Sequence, residues 1–165
     1  MNSVEQRLCQ AGLGRRVAVL CAGSILCGDD GAGMLLAESI GQKAEELGAL
    51  VLAGSTAPEN FVGVLRGFQP GLVVLVDAAR MGLAPGETAV IEDDQVAGAS
   101  FSTHMLPLPI LLSYLRGELG CETLMIGVEP ACTDFGAQPC PQVLHGVESL
   151  GSALLQFFGE NQKKG

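Results

Sequence analysis

Apolar and polar positions alternate between two periods along this chain. Continuous apolar runs bounded by turn residues read as strands buried on both faces, and stripes at helical spacing read as amphipathic helices. Val17–Cys21 and Leu72–Val76 are the clearest strands, the second ending on Asp77. Leu50–Ala53 and Thr123–Val128 are further strands, and Glu87–Ile91 returns as an antiparallel one, because the link from the strand before it is too short for a helical crossover. Helices are predicted from about Gly31 to Leu47, after Pro58 through the stripe Phe61, Val64, Leu65 and Phe68, from Pro107 or Leu108 to Gly117, and over Val143–Phe158. The pattern predicts an α/β fold of three layers: a mostly parallel, twisted, five-stranded sheet with helices on both faces and one antiparallel strand. No boundary or repeat interrupts residues 1–165, so one domain is expected, with 1–16 and 159–165 as flexible ends.

Composition narrows the class. Nine basic against eighteen acidic residues give a net charge of −9, which disfavours nucleic acid as a partner. The apolar runs fall short of a membrane span, and residues 1–16 lack the apolar core of a signal peptide, so a cytoplasmic protein without a membrane partner is expected. The six cysteines form no C-x-x-C pair and fit reduced thiols better than a disulfide framework or zinc knuckle.

The chain is organised around VAVLCAGSILCGDDGAG, residues 17–33, a strand, a glycine-rich turn and a helix start. This shape often cradles phosphate. Here Asp29 and Asp30 occupy the loop instead, and two adjacent carboxylates call for a cation, a proton or peptide donors. Both could simply favour the helix start, but one acid suffices for that, so Asp29 is assigned to the cap and Asp30 to the site. Ligands of such folds bind at the carboxyl ends of the strands. Asp30 follows the first strand, Asp77 ends the third, and His104 lies in the loop before the third helix, so all three can meet at one edge. Two carboxylates and an imidazole suit a divalent metal with open positions, or an aspartyl-protease-like pair sharing a proton. Asp29, Glu59 and Asn60 are candidates for the lining of the groove, and His145 reads as a surface residue.

The ordered blocks G-D-D-G-A-G (28–33), A-P-E-N (57–60), V-D-A-A-R-M-G-L-A-P-G-E (76–87), S-T-H-M-L-P-L (102–108) and G-V-E-P (127–130) resemble the [NiFe]-hydrogenase maturation endopeptidases, most of all the branch acting on the formate-hydrogenlyase hydrogenase. The resemblance implies a cytoplasmic, monomeric endopeptidase that removes the C-terminal extension of a hydrogenase large-subunit precursor. Cleavage in that family follows nickel insertion, and the nickel arrives with the precursor as the recognition element. No tightly bound cofactor of the enzyme's own is expected. The family's metal-contacting positions fall on Asp30, Asp77 and His104, with the two aspartates as catalytic candidates. Two positions depart from the pattern: Gly23-Ser24 stands for Gly-Asn, and Ala53-Gly54-Ser55 for Asp-Gly-Gly. An amide and a carboxylate near the groove are thereby missing.

The rival is a magnesium-dependent phosphoacceptor signalling domain, which also places acids after strand one and an aspartate at the end of strand three. It needs a lysine after the last strand. Glu129 stands there instead, and no lysine lies between Lys43 and Lys163.

Overall fold

The computed structural model describes residues 3–96 and 107–164, together with the backbone of residues 100 and 101. Two long apolar runs form the centre of the sheet. Strand β1 (Val17–Cys21) is buried throughout, and β3 (Leu72–Arg80) is buried in all but its last residue. Strand β2 (Leu50–Ala53) pairs with one side of β1 and β3 with the other, both in parallel. Strand β6 (Glu122–Val128) continues the parallel sheet beside β3, and β4 (Thr88–Ile91) closes it antiparallel to β6. The order is β2-β1-β3-β6-β4, the mostly parallel five-stranded arrangement that the periodicity predicts.

Helix α2 (Ala32–Glu46) follows a 3-10 turn at Gly28–Gly31 and buries Ala32, Leu36, Ile40 and Ala44. With α6 (Pro141–Gln162) it covers one face, over Val17, Val19, Val74, Val76 and Ile126. Helix α3 (Val62–Phe68), preceded by a 3-10 turn at Pro58–Phe61, and α5 (Leu108–Leu119) cover the other, over Ala18, Leu20, Val73 and Leu75. The connection that leaves β1 thus runs through α2 to β2 on one side, whereas the connection that leaves β3 returns through α5 to β6 on the other side and over the opposite face. Connections that diverge in this way open a crevice at the carboxyl ends of β1 and β3.

Several expectations need correction. The segment before β1 holds a helix that the periodicity does not predict: α1 (Val4–Gly12) is capped by Ser3, whose hydroxyl accepts the Gln6 N–H at 3.2 Å. Only Val4, Leu8 and Gly12 reach the core, one per turn, too thin a stripe to stand out from its polar neighbours. Gly12 is required there, since a Cβ would stand 2.6 Å from Leu72 and 2.8 Å from the Phe157 ring. Helix α6 runs past Phe158 to Gln162, and the Asn161 side chain accepts the Gly14 N–H and donates to the Arg15 carbonyl at 2.7 Å. Strand β3 does not stop at Asp77. It runs on to Arg80 because β6 still pairs with Asp77 and Ala78, and a two-residue strand β5 (Ser100–Phe101) pairs with Ala79 and Arg80. Strand β4 is antiparallel as expected, yet its partner is β6 rather than β3. The pair Asp93-Asp94 opens a single helical turn, α4 (Asp93–Val96), and Asp93 holds Arg116 in a two-bond ion pair. Helix α5 passes through Gly117 and ends at Gly120, whose left-handed backbone (φ 61°) closes it.

Candidate active site

The turn after β1 is built around one carboxylate. Gly23 leaves the strand at φ 130°, a conformation open to glycine, and the next N–H, from Ser24, donates to Asp30 Oδ2 at 2.9 Å. The Asp30 N–H in turn donates to the Cys27 carbonyl at 3.1 Å. Asp30 is 4% exposed, and its second oxygen, Oδ1, is buried with no hydrogen-bond partner among the described residues. A buried carboxylate oxygen without a donor is costly, so it marks a place where a ligand is expected.

Asp77 is fully buried one strand away, its Oδ1 accepting the Ala78 N–H at 2.9 Å. Gly23 is the spacer between the two acids. A Cβ on Gly23 would overlap the Asp30 carbonyl oxygen and stand 3.5 Å from Asp77 Oδ1. Two hydrogen bonds fix this spacer: Ala22 N–H to the Val76 carbonyl at 2.8 Å and Gly23 N–H to the Ser55 carbonyl at 2.9 Å. The start of α2 is pressed in from behind, since a Cβ on Gly33 would collide with the Ala22 carbonyl. The buried Cys21 thiol lies in the same neighbourhood. Burial, and secondarily the charge of Asp77, push it up to about 12, so it stays a neutral thiol.

Gly23 thus has the Asp30 backbone on one side and the Asp77 carboxylate on the other. His104, the third expected member, lies outside the described residues. Among the described residues no three His, Cys, Asp or Glu side chains stand together as a metal-binding group.

Asp29 has a different task from its neighbour. Its Oδ2 accepts the Ala131 and Cys132 N–H groups at 2.8 and 3.0 Å, and its Oδ1 accepts the Cys140 N–H at 2.7 Å. All its visible capacity serves the loop between β6 and α6, so it does not line the groove, and it does not cap α2 through a side-chain bond. Burial alone would raise its pKa, but the backbone donors from Cys132, Cys140 and Ala131 outweigh this and hold the carboxyl below 3.8. Glu59 is partly buried and its Oε2 has no partner among the described residues, whereas Asn60 is exposed. His145 is exposed on α6, in keeping with its reading as surface.

The two departures from the family pattern are absorbed by the main chain. Ser24 serves Asp30 through its N–H, not its side chain, which accepts the Leu26 N–H at 3.3 Å. Ser55 adopts a left-handed conformation (φ 52°) and offers its carbonyl to Gly23.

A residue that the sequence shows only as a missing lysine also has a clear role. Glu129, buried at the end of β6, accepts the Met81 and Leu83 N–H groups at 2.6 and 3.2 Å. Its carbonyl takes the Gly86 N–H at 2.8 Å. It clamps the β3–β4 connection to the site edge, and a carboxylate engaged this way cannot replace the phosphoryl-pairing cation of a phosphoacceptor domain. An acid placed between a buried strand and a proline was the available signal.

Known proteins share this fold. Residues 34–156 match the family model for hydrogenase maturation protease. The hydrogenase 3 maturation protease of Escherichia coli K12 is 38% identical over 142 residues, covering 86% of this chain and 90% of that protein. The crystal structure of the [NiFe] hydrogenase maturation protease HycI from Thermococcus kodakarensis superposes with a TM-score of 0.76 at 31% identity, covering 88% of this chain and 94% of that one. The solution structure of the endopeptidase HycI from E. coli superposes at 0.73 with 32% identity, over 88% and 93% of the two chains. With a matching family model over most of its length and the same fold as solved members, this chain belongs to the hydrogenase maturation proteases.

Proposed function

We propose that the protein removes the C-terminal extension of a [NiFe]-hydrogenase large-subunit precursor once nickel has been inserted, and that the nickel is the feature it recognises. The observation that carries this reading is the buried Oδ1 of Asp30, without a hydrogen-bond partner among the described residues, on a turn whose backbone faces Asp77 across Gly23. A cation delivered by the precursor satisfies that oxygen, and peptide N–H groups alone do so less well, because a carboxylate gains most from a charged partner. Asp30, Asp77 and His104 are the ligand set, N and O donors of the kind nickel accepts. The metal belongs to the substrate, so an empty precursor offers only a mobile tail, while a loaded one docks in a single register. Such positioning can remove several kcal/mol from the barrier, up to roughly 7–11 in well-oriented cases.

Two routes can activate the attacking water. The metal lowers the pKa of a bound water, or an aspartate accepts its proton. The second makes Asp30 and Asp77 an aspartyl-type pair. Glu59, with its unpartnered oxygen near the carboxyl end of β2, lines the approach together with Asn60. We expect a monomer acting in the cytoplasm, as the family resemblance implies. Among the described residues no helix is long and apolar enough to cross a membrane.

The deciding experiment incubates the protein with nickel-loaded and with nickel-free precursor and follows tail loss by mass. Cleavage of the loaded form alone is expected. Cleavage of neither removes the protease reading, and equal cleavage of both removes the nickel checkpoint.

A further inference from the structure

Large apolar side chains are exposed immediately beside the Asp30 turn. Ile25 is 68% exposed, Leu26 59% and Phe135 82%. They belong to two loops far apart in sequence that are bonded into one rim. Gly136 N–H donates to the Leu26 carbonyl at 2.7 Å, and Asp29 N–H donates to the Cys132 carbonyl at 2.9 Å. Phe135 sits at the tip of a turn closed by Ala137 N–H to the Asp134 carbonyl at 3.1 Å, with Gly136 at φ 80°. On the other side, a Cβ on Gly31 would stand 3.1 Å from the Ile25 Cα, so the Ile25 backbone lies directly against the turn that carries Asp30. The exposure is thus imposed by a hydrogen-bonded frame rather than by a loose loop.

We propose that Ile25, Leu26 and Phe135 form the docking lip for apolar side chains of the precursor's C-terminal segment, next to the bond that is cut. This rests on the cleavage reading above and adds the chemistry of the segment that is recognised. The lip is continuous with the site, because Ser24, whose N–H holds Asp30, directly precedes Ile25 and Leu26. An extended chain advances about 3.3 Å per residue, so a peptide engaged at Asp30 lays its next few side chains over this rim. A contiguous apolar patch framed by polar main chain is the usual mark of a protein-binding surface. Aromatic and large aliphatic side chains at its centre would carry most of the selectivity.

The test is steady-state cleavage of a full-length, nickel-loaded precursor by the wild type and by Leu26→Ser, Phe135→Ser, Phe135→Ala and Phe135→Leu. Both serine variants and Phe135→Ala should raise KM about tenfold or more with kcat within about twofold, the scale of losing one apolar pocket contact. Phe135→Leu should recover most of the loss, and all melting midpoints should stay near the wild type, since the side chains are exposed. Phe135→Ala keeps the turn and decides the matter if a serine variant melts early. An unchanged KM in Phe135→Ala and Leu26→Ser overturns the lip while leaving the protease reading intact. Wild-type protein that sediments as a dimer, and becomes monomeric in these variants, also overturns it, since the occupant is then a second copy of the chain. A wild type that cuts no precursor removes the function and the lip together.

Discussion

Asp29 and Cys132 exchange hydrogen bonds across more than a hundred residues of chain: the Asp29 N–H donates to the Cys132 carbonyl at 2.9 Å, and the Cys132 N–H donates to Asp29 Oδ2 at 3.0 Å. The pair ties the turn that carries Asp30 to the loop before α6, and with it the apolar rim to Asp30. Asp29 is therefore a structural anchor beside the proposed site residue.

Replacing this anchor should cost stability before it costs chemistry. In Asp29→Asn the amide can accept through one oxygen only, and its NH2 faces a backbone donor. We expect a loss of about 2 kcal/mol or more, the scale of stranding a buried donor and losing charge-assisted bonds. The sign of the pH dependence follows from the depressed pKa of Asp29. Its contribution is complete above the unfolded value of 3.8 and is lost as pH falls through the lower folded value. Urea midpoints measured from pH 7 downward should show the gap between wild type and Asp29→Asn narrowing below about pH 4. A gap that stays constant into acid would mean that ionised Asp29 is not what the backbone donors hold.

Asp77→Asn should leave the fold and abolish cleavage. Asparagine retains an oxygen for the Ala78 N–H that Asp77 Oδ1 accepts at 2.9 Å, but it loses the charge needed to bind a cation or take a proton. A fall in kcat/KM of about a hundredfold or more is expected, with circular dichroism unchanged. Normal turnover in a well-folded variant would rule out a role for this carboxylate.

Gly23→Ala tests the spacer. The added methyl overlaps the Asp30 carbonyl at a backbone of φ 130° that side chains rarely adopt, so the turn has to move. We expect a destabilisation of about 1–3 kcal/mol and a loss of cleavage larger than that instability explains. Retained activity at a temperature where the variant is still folded would show that the distance between Asp30 and Asp77 is not critical.

Metal removal should matter little to folding. If the nickel comes with the precursor, a chelator should leave the melting midpoint of the free protein within about 2 °C, since an ion held weakly adds under about 1 kcal/mol. Calorimetric titration with nickel should show no tight site. Strong binding together with chelator-induced unfolding would make the metal structural and end the checkpoint reading.

The physical origin of each feature decides how much of it was legible in the sequence. Continuous apolar runs such as Val17–Cys21 and Leu72–Val76 can only be stable when both faces are covered, so the chain alone determined the central parallel strands and the three layers around them. The acids that follow those runs, Asp30 and Asp77, were placed at one edge by the same logic, because parallel strands carry their carboxyl ends to the same side. Antiparallel pairing of β4 was legible from its short connection, but not that β6 would be its partner, since the register between distant segments is not written locally. Helix α1 was hidden because its three core positions gain their value only from Leu72, Phe157 and the rest of α6. The division of labour between Asp29 and Asp30 was beyond the sequence as well. Adjacent residues of one type carry the same local signal, and only the loop returning from β6 brings three N–H groups to Asp29, while Oδ1 of Asp30 has no donor among the described residues. Local chemistry named the acids, and long-range hydrogen bonding decided which of them is held by the main chain.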